Sequence, residues 1–343
     1  MRKFIPVNQP LITKSDTSLV SKAINAGWIS SEGPNVKNFE KKFAKFIGHK
    51  YSVAVSSGTG ALDISVKALN LNKNDEIIVT NFIIISNALA VIKLGLKIKF
   101  VDCDIFDWNM NLKKIEKAIT KNTKAIIATH IYNFPLRVDR LKKICKQKNI
   151  FMIEDAAEAL GQKIFKKNCG SFGDIGIFSF YANKQITTGE GGMITTNNKK
   201  LYEKMLSLRN LCFGKKNRFN HEDIGWNYRM TNIQATLGIS QLSRIKTIVK
   251  TRHRVGNRYY QQLSKNKNLY IPEPKKNYAQ NIYWVIGILI TNTTLRLNAE
   301  TVMKKLKQSG IGTRPFFWPM HKQKIFKYLK ISNSNEFLNS EYI

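Results

Sequence analysis

Five short apolar runs, Ser52–Val55, Glu76–Val79, Ile98–Val101, Ala125–Thr129 and Phe151–Ile153, recur through the first half of the chain. Amphipathic stretches such as Ala61–Leu69 and Val138–Lys148 separate them. Short runs rich in Ile and Val fit strands buried on both faces, whereas the intervening stretches carry apolar residues at helical spacing. A strand followed each time by a helix re-enters the sheet in the same direction. The alternation therefore predicts an α/β fold with a mainly parallel sheet and helices on both faces. Ligands of such sheets bind beyond the carboxyl ends of the strands. The residues just after each run are the ones to inspect for chemistry.

At 343 residues the chain is near the limit of a single core, which favours a large domain with a smaller second lobe. With 43% apolar and 23% charged residues, its composition excludes a disordered or collagenous chain. The longest apolar run, residues 82–96, is interrupted by Ser86, Asn87 and Lys93. It falls short of the roughly 20 apolar residues of a membrane helix. Met1–Leu11 lacks the apolar segment and small-residue cleavage site of an export signal, so a cytoplasmic location is expected. Cys103, Cys145, Cys169 and Cys212 are far apart, and no Cys-x-x-Cys or His-Glu-x-x-His pattern occurs. They read as buried free thiols, and no metal site is expected. The 56 Lys and Arg against 23 Asp and Glu give a net charge of +33, a field that attracts polyanions. Yet the charge is scattered in pairs such as Lys41-Lys42, Lys113-Lys114 and Lys142-Lys143, as on solvated helix faces. No helix-turn-helix, finger or RNA-recognition signature accompanies it, so specific nucleic-acid binding is not expected.

Four segments at strand ends carry polar chemistry. Ser56-Ser57-Gly58-Thr59-Gly60 precedes a helix and offers unpaired N–H groups and hydroxyls to an anion. An ordinary strand-to-helix turn reads the same way. Glu154-Asp155-Ala156-Ala157-Glu158 sets carboxylates at a strand end, able to face a ligand cation or to cap a helix. Lys184 lies between two strand-like segments, five residues after Ser179 and shortly before Gly189, Gly191 and Gly192, where bare backbone can approach a flat ligand. A lysine nucleophile needs a depressed pKa, which desolvation supplies. Finally, a polar and aromatic loop from Asp223 to Asn232 leads into the helix Ile233–Ile245, with Thr231 or Asn232 as its cap.

These segments together resemble the DegT/DnrJ/EryC1/StrS family of nucleotide-sugar aminotransferases. The likeness runs through Gly27-Trp28-Ile29-Ser30-Ser31, Ser57-Gly58-Thr59, Phe100-Val101-Asp102, His130-Ile131-Tyr132, Glu154-Asp155-Ala156-Ala157, Ser179-Phe180 to Lys184, Thr188-Gly189-Glu190-Gly191-Gly192 and Asn227-Tyr228-Arg229-Met230. Gly312–His321, with Asn281–Trp284 before it, is most similar to the GDP-perosamine synthase branch. The resemblance implies fold type I of the pyridoxal-phosphate enzymes, with a large domain over 1–245 and a smaller α+β domain over 246–343. It makes Lys184 the cofactor-bearing lysine and Asp155 the partner of the pyridine nitrogen, the two catalytic residues. Glu158 would lie near the ring's phenolic oxygen, and Phe82 would stack on the ring. Gly58, Thr59 and Ser179 would hold the phosphate, and Asn227 would reach the phosphate of a neighbouring subunit in a homodimer with shared sites. Trp28, Ser30, Arg229, Arg314 and His321 are the candidate substrate contacts, with ion pairing as the alternative for each arginine.

The implied reaction moves an amino group from L-glutamate to the C4 ketone of a nucleotide-linked 4-keto-6-deoxyhexose. The alternatives are the same chemistry on a UDP- or dTDP-linked sugar, amination at C3, or a non-catalytic regulator or nucleic-acid-binding relative. Relatives with His at the lysine position dehydrate sugars instead, and Lys184 favours transamination. Family members usually continue beyond the Pro-Met-His segment for several tens of residues, so the end at Ile343 reads as a truncation, or as a small lobe that closes differently.

Overall fold

A computed structural model describes residues 4–343 apart from 133, 215, 218, 292–297 and 332–336. In chain order, α1 (Lys14–Asn25) and α2 (Pro34–Ile47) precede β1 (Tyr51–Val55), α3 (Gly58–Ala68), β2 (Glu76–Thr80), α4 (Ser86–Ile92), β3 (Lys97–Val101), α5 (Leu112–Ala118), β4 (Thr123–Thr129), α6 (Val138–Lys148) and β5 (Phe151–Asp155). A short hairpin, β6 (Lys163–Ile164) and β7 (Lys167–Asn168), leads to β8 (Ile175–Ser179), β9 (Gly192–Thr196), α7 (Lys199–Arg209), α8 (Asn232–Ser243) and α9 (Ile245–Leu263). The C-terminal part holds β10 (Leu269–Tyr270), β11 (Leu289–Ile290), α10 (Ala299–Gln308), α11 (Lys324–Tyr328) and α12 (Leu338–Tyr342).

Seven strands form one sheet in the order β1-β9-β8-β5-β4-β2-β3. Only β9 runs against its neighbours; it pairs antiparallel with β1 and β8, and the remaining pairs are parallel. The expected mainly parallel sheet is thus present, and the one reversal occurs where the loop carrying Lys184 joins β8 to β9. Successive strand residues alternate between two buried cores. Val53, Val55, Ile77, Val79, Ile127 and Ile153 fill one, while Ala54, Ile78, Ile126, Ala128 and Met152 fill the other. Each fully buried Val or Ile is worth about 1.5–3 kcal/mol, so burial on both faces is what selects continuous apolar runs over alternating ones.

The helix signals explain how the sheet is covered. On α2, Val36, Phe39, Phe43 and Ile47 form one buried stripe. Its Phe43 ring sits 4.9 Å from Phe178 and 5.4 Å from Phe180. Pro34 starts that helix and Gly48, at φ 94°, ends it in the left-handed conformation that glycine adopts at little cost. Thr231 caps α8 with Gln234 completing the capping box, so of the two expected caps Thr231 is the one used. At the other end of the chain α12 is pinned to the carboxyl end of β3. Asp102 accepts the backbone N–H groups of Ser340 (3.0 Å) and Asn339 (3.1 Å) as well as Lys114 Nζ (2.8 Å). All four cysteines are buried free thiols, as expected. Among the described residues no helix is long and apolar enough to cross a membrane.

Candidate active site

Three strand ends and one loop build the site. Ser57 Oγ accepts the Gly60 N–H (3.0 Å) and so caps α3. The N–H groups of Gly58 and Thr59, in the first turn, then have no acceptor inside the helix. Ser179 ends β8 directly against them: a Cβ on Gly58 would lie 2.9 Å from Ser179 Cβ and 3.3 Å from its Oγ. The glycine is required by this close approach and not by its backbone angles. Thr59 Oγ1 is 3.0 Å from Ser86 Oγ at the start of α4. Two N–H groups, two hydroxyls and the positive end of an eleven-residue helix therefore converge in a cradle that one extra methyl would fill.

β5 delivers the carboxylates. Asp155 is the last residue of the strand, not the cap of a helix, and is buried. Its Oδ2 accepts from Asn87 Nδ2 (3.0 Å) and its Oδ1 from the Ala157 N–H (3.1 Å). Burial raises its pKa, against the pull of these donors and of the Lys184 charge. Glu158, in the following turn, is buried too and accepts the Tyr132 N–H (2.7 Å) at Oε2. Burial pushes it up to about 7, opposed chiefly by Lys184. Neither acid forms a salt bridge among the described residues. Burial lowers the Lys184 pKa, and the negative charges of Glu158 and Asp155 raise it. Half-buried and under the charges of two acids, this lysine has the depressed basicity that nucleophilic and proton-transfer roles need.

Aromatic rings wall this group. The buried Phe82 meets Tyr132, Phe316 and Phe317 edge to face at 6.0, 6.1 and 6.4 Å. Tyr132 stacks on Phe316 and Phe317, each at 5.0 Å. A flat, phosphorylated, basic heteroaromatic group fits such a place. The cradle would take its phosphate, a carboxylate without a salt-bridge partner among the described residues its ring nitrogen, and the phenyl ring its face. Asn87 Oδ1, buried without a partner beside Asp155, adds a further acceptor.

The remaining candidates lie elsewhere. Trp28 and Arg229 line a cavity of about 910 Å³ between α2, β1 and α7, together with Lys37, Lys50 and Arg209. Arg209 is already paired with Glu40 (2.6 Å), and Arg229 donates to Asn210 Oδ1 (2.6 Å). Ser30 is held through its carbonyl, which accepts the Asn232 N–H (2.8 Å). Asn227 is exposed on the loop before α8. Arg314 is exposed and donates to the neighbouring Thr313 carbonyl (3.0 Å). His321, expected to meet substrate, is buried with both ring nitrogens engaged: Nδ1 accepts from Asn81 Nδ2 (2.8 Å) and Nε2 donates to Glu341 Oε1 (2.7 Å).

Sequence reasoning gave Asn87 no role and did not separate Glu154 from Asp155. Asn87 was visible only as a polar break in an apolar run. Glu154 is a folding hub, since it accepts the N–H groups of Gly170 (2.6 Å), Phe172 (2.7 Å) and Gly173 (2.9 Å) and pairs with His130 Nε2 (3.0 Å). Burial alone would push its carboxyl up, but the bond from His130 and these donors outweigh it and hold the pKa down. Cys169 joins His130 and Glu154 in a cluster with metal-ligand geometry. The acid is already saturated, the Nδ1 of His130 accepts the Leu136 N–H (3.1 Å), and burial keeps the thiol protonated. The cluster is internal scaffolding.

Comparison with known proteins agrees with this geometry. The model of the DegT/DnrJ/EryC1/StrS aminotransferase family matches residues 10–343. A GDP-perosamine synthase of Escherichia coli O157:H7 is 37% identical over 331 residues, 96% of this chain and 89% of that protein. Helicobacter pylori PseC, an aminotransferase involved in the biosynthesis of pseudoaminic acid, superimposes with a TM-score of 0.93 at 25% identity, covering 99% of this chain and 92% of that one. An E. coli GDP-4-keto-6-deoxy-D-mannose-3-dehydratase with bound hydrated PLP superimposes at 0.89 with 25% identity, covering 99% of this chain and 93% of that one. The chain therefore belongs to the DegT/DnrJ/EryC1/StrS family and is a pyridoxal-phosphate-dependent sugar aminotransferase.

Proposed function

We propose that the enzyme transfers the amino group of L-glutamate to the C4 ketone of a GDP-linked 4-keto-6-deoxyhexose. The observation that carries this reading is Lys184, on the loop that leaves Ser179 at the start of α3, lying under the charges of two buried acids that have no salt-bridge partner among the described residues. The GDP-perosamine synthase likeness over 96% of the chain supports the nucleotide and the position of amination.

Pyridoxal phosphate, when bound, supplies an electron sink that lets a proton leave a carbon next to nitrogen. The chain's own residues do the rest. Gly58, Thr59 and Ser179 anchor the phosphate and so fix the ring's position. Asp155, held by Asn87 and the Ala157 N–H, keeps a proton on the pyridine nitrogen. Glu158 lies at the phenolic-oxygen side, and Phe82 excludes water from one face. Lys184 Nζ takes the proton from the α-carbon of L-glutamate in one half of the cycle. In the other it delivers a proton to C4 of the sugar. L-Glutamate leaves as 2-oxoglutarate.

The substrate's diphosphate carries negative charge toward a chain of net charge +33, and Arg229 and Trp28 line the cavity of about 910 Å³. Ser30 and Arg314 are the further contacts in this reading. His321 is better placed to hold Asn81, next to Phe82, than to touch substrate. A second copy of the chain completes the site through Asn227. The loop that carries Asn227 also exposes Phe219 (82%) and Ile224 (77%), apolar surface that a dimer would cover.

The test is incubation with L-glutamate and a panel of GDP-, UDP- and dTDP-linked 4-keto-6-deoxy sugars, with amino-sugar product detected by mass. GDP-linked product, abolished in Lys184→Ala, is the expected result. Product from only the UDP or dTDP sugars removes the nucleotide assignment. Undiminished turnover by Lys184→Ala removes the mechanism.

A further inference from the structure

Trp284 touches the reactive lysine in two ways. Its ring, buried, lies 3.9 Å from Lys184 Nζ to centroid. Its indole N–H donates to the carbonyl of Asn183, the residue before the lysine, at 3.1 Å. The same carbonyl accepts Asn8 Nδ2 (2.6 Å) from the N-terminal segment. Arg252 of α9 closes the bracket, donating to the Trp284 carbonyl (3.3 Å) and to Asn8 Oδ1 (3.2 Å). Tyr132 lies parallel to the indole, 6.0 Å away at an interplanar angle of 8°. Three distant stretches of chain thus converge to fix one ring against one ammonium group.

We propose that Trp284 is a positioning residue for transamination: its face holds the Lys184 ammonium whenever that amine is released, and its N–H fixes the backbone from which the amine swings. This inference rests on Lys184 being the cofactor-bearing lysine. The physical need is plain. A released lysine carries a flexible four-carbon stem worth about 2 kcal/mol of rotamer entropy and must return to one carbon atom. A salt bridge to Asp155 would draw the carboxylate from its expected partner. One to Glu158 would tie the amine to an acid. An indole face attracts the ammonium without hydrogen-bonding it, and tryptophan is the strongest side chain for this.

The charged groups that bear on Lys184 are Glu158, in the turn after β5, and Asp155 at the end of that strand, while Arg252 of α9 reaches the Trp284 carbonyl. Tyr132, parallel to the indole, donates its N–H to Glu158. Removing the ring leaves these in place and withdraws support from the charged amine only. Its titration midpoint should therefore fall.

The experiment uses the cofactor-free full chain, so that it does not depend on turnover. Lys184 is acetylated with a limiting amount of an N-hydroxysuccinimide ester across a pH series, and its peptide is quantified by mass. In Trp284→Leu the midpoint should drop by about one pH unit, a tenfold change in the protonation equilibrium. Trp284→Phe, which keeps a weaker ring and loses the N–H, should fall in between. With cofactor and substrates restored, kcat should fall roughly tenfold in Trp284→Leu while the KM for L-glutamate stays within about twofold. A midpoint that stays or rises in Trp284→Leu of unchanged melting temperature overturns the proposal. If that variant does not fold, an unmoved midpoint in Trp284→Phe does the same. Borohydride trapping of wild-type enzyme with pyridoxal phosphate separates the two layers. A pyridoxyl group absent from Lys184 defeats the underlying reading, whatever the midpoints do.

Discussion

Gly58→Ala tests the phosphate cradle more sharply than removal of any polar group. The new Cβ would stand 2.9 Å from Ser179 Cβ and 3.3 Å from its Oγ. Carbon atoms in good contact sit at about 3.5–4.0 Å, so the helix start and the end of β8 must part by roughly 0.6–1 Å. That overpacking costs about 1–3 kcal/mol of folding stability, measurable by urea denaturation of the cofactor-free protein. The same displacement lengthens hydrogen bonds to a charged phosphate, each worth about 1.5–3 kcal/mol, so affinity for pyridoxal phosphate should fall roughly 10- to 100-fold in a spectroscopic titration. Ser179→Gly supplies the control. It removes the colliding carbon along with the hydroxyl, so Gly58→Ala on that background should cost less than about 0.5 kcal/mol. Cofactor affinity in the double variant should stay low, because the hydroxyl is gone. Wild-type affinity in Gly58→Ala, or full additivity of the two stability losses, would show that this contact does not shape the cradle.

Three further outcomes follow from the buried charges. Glu158, raised from 4.5 to about 7, holds a proton in the folded state that the unfolded chain has already released. Stability of the cofactor-free protein should fall as pH rises through that window, by up to about 1.4 kcal/mol per unit, and Glu158→Gln should flatten the slope in urea melts taken at several pH values. Glu154→Gln sets an amide N–H group against three backbone donors and should destabilise the fold by about 3–5 kcal/mol, seen as a lowered urea midpoint with unchanged m. His321→Ala leaves the Asn81 amide and Glu341 without their shared partner. The buried Asn81 amide left unsatisfied should cost about 1–3 kcal/mol in thermal unfolding, and cofactor affinity should weaken with it because Phe82 follows Asn81 directly.

Much of the fold could be read from local pattern because burial on both faces leaves a one-dimensional trace. The five expected strands begin and end within two residues of β1 to β5, and Val138–Lys148 coincides with α6. The antiparallel place of β9 was not readable: which way a strand enters depends on the loop before it, and a five-residue run has no direction. The site divided the same way. Gly58, Thr59, Asp155, Ser179 and Lys184 lie at strand ends or in the loop between two strands, where alternation alone draws attention. Trp284 and Asn81 act through partners a hundred or more residues away, and nothing local marks an indole that lies over a lysine.

The pair Glu154-Asp155 shows where pattern stops and packing decides. Successive strand residues point to opposite faces, so one acid must go to each core. Sequence cannot say which face holds the chemistry, since both acids are buried and both have hydrogen-bond donors. The donors differ in kind. Glu154 meets three backbone N–H groups of the turn after β7 and a histidine, a rigid set that holds its pKa down and leaves it nothing to offer. Asp155 meets one N–H and one amide whose own oxygen is unpartnered, with a lysine nearby, and its pKa is raised. An acid already satisfied by backbone fixes the fold. Its neighbour, incompletely satisfied one residue later, is the one the proposed reading assigns to a ligand, and exchanging their surroundings would exchange their roles.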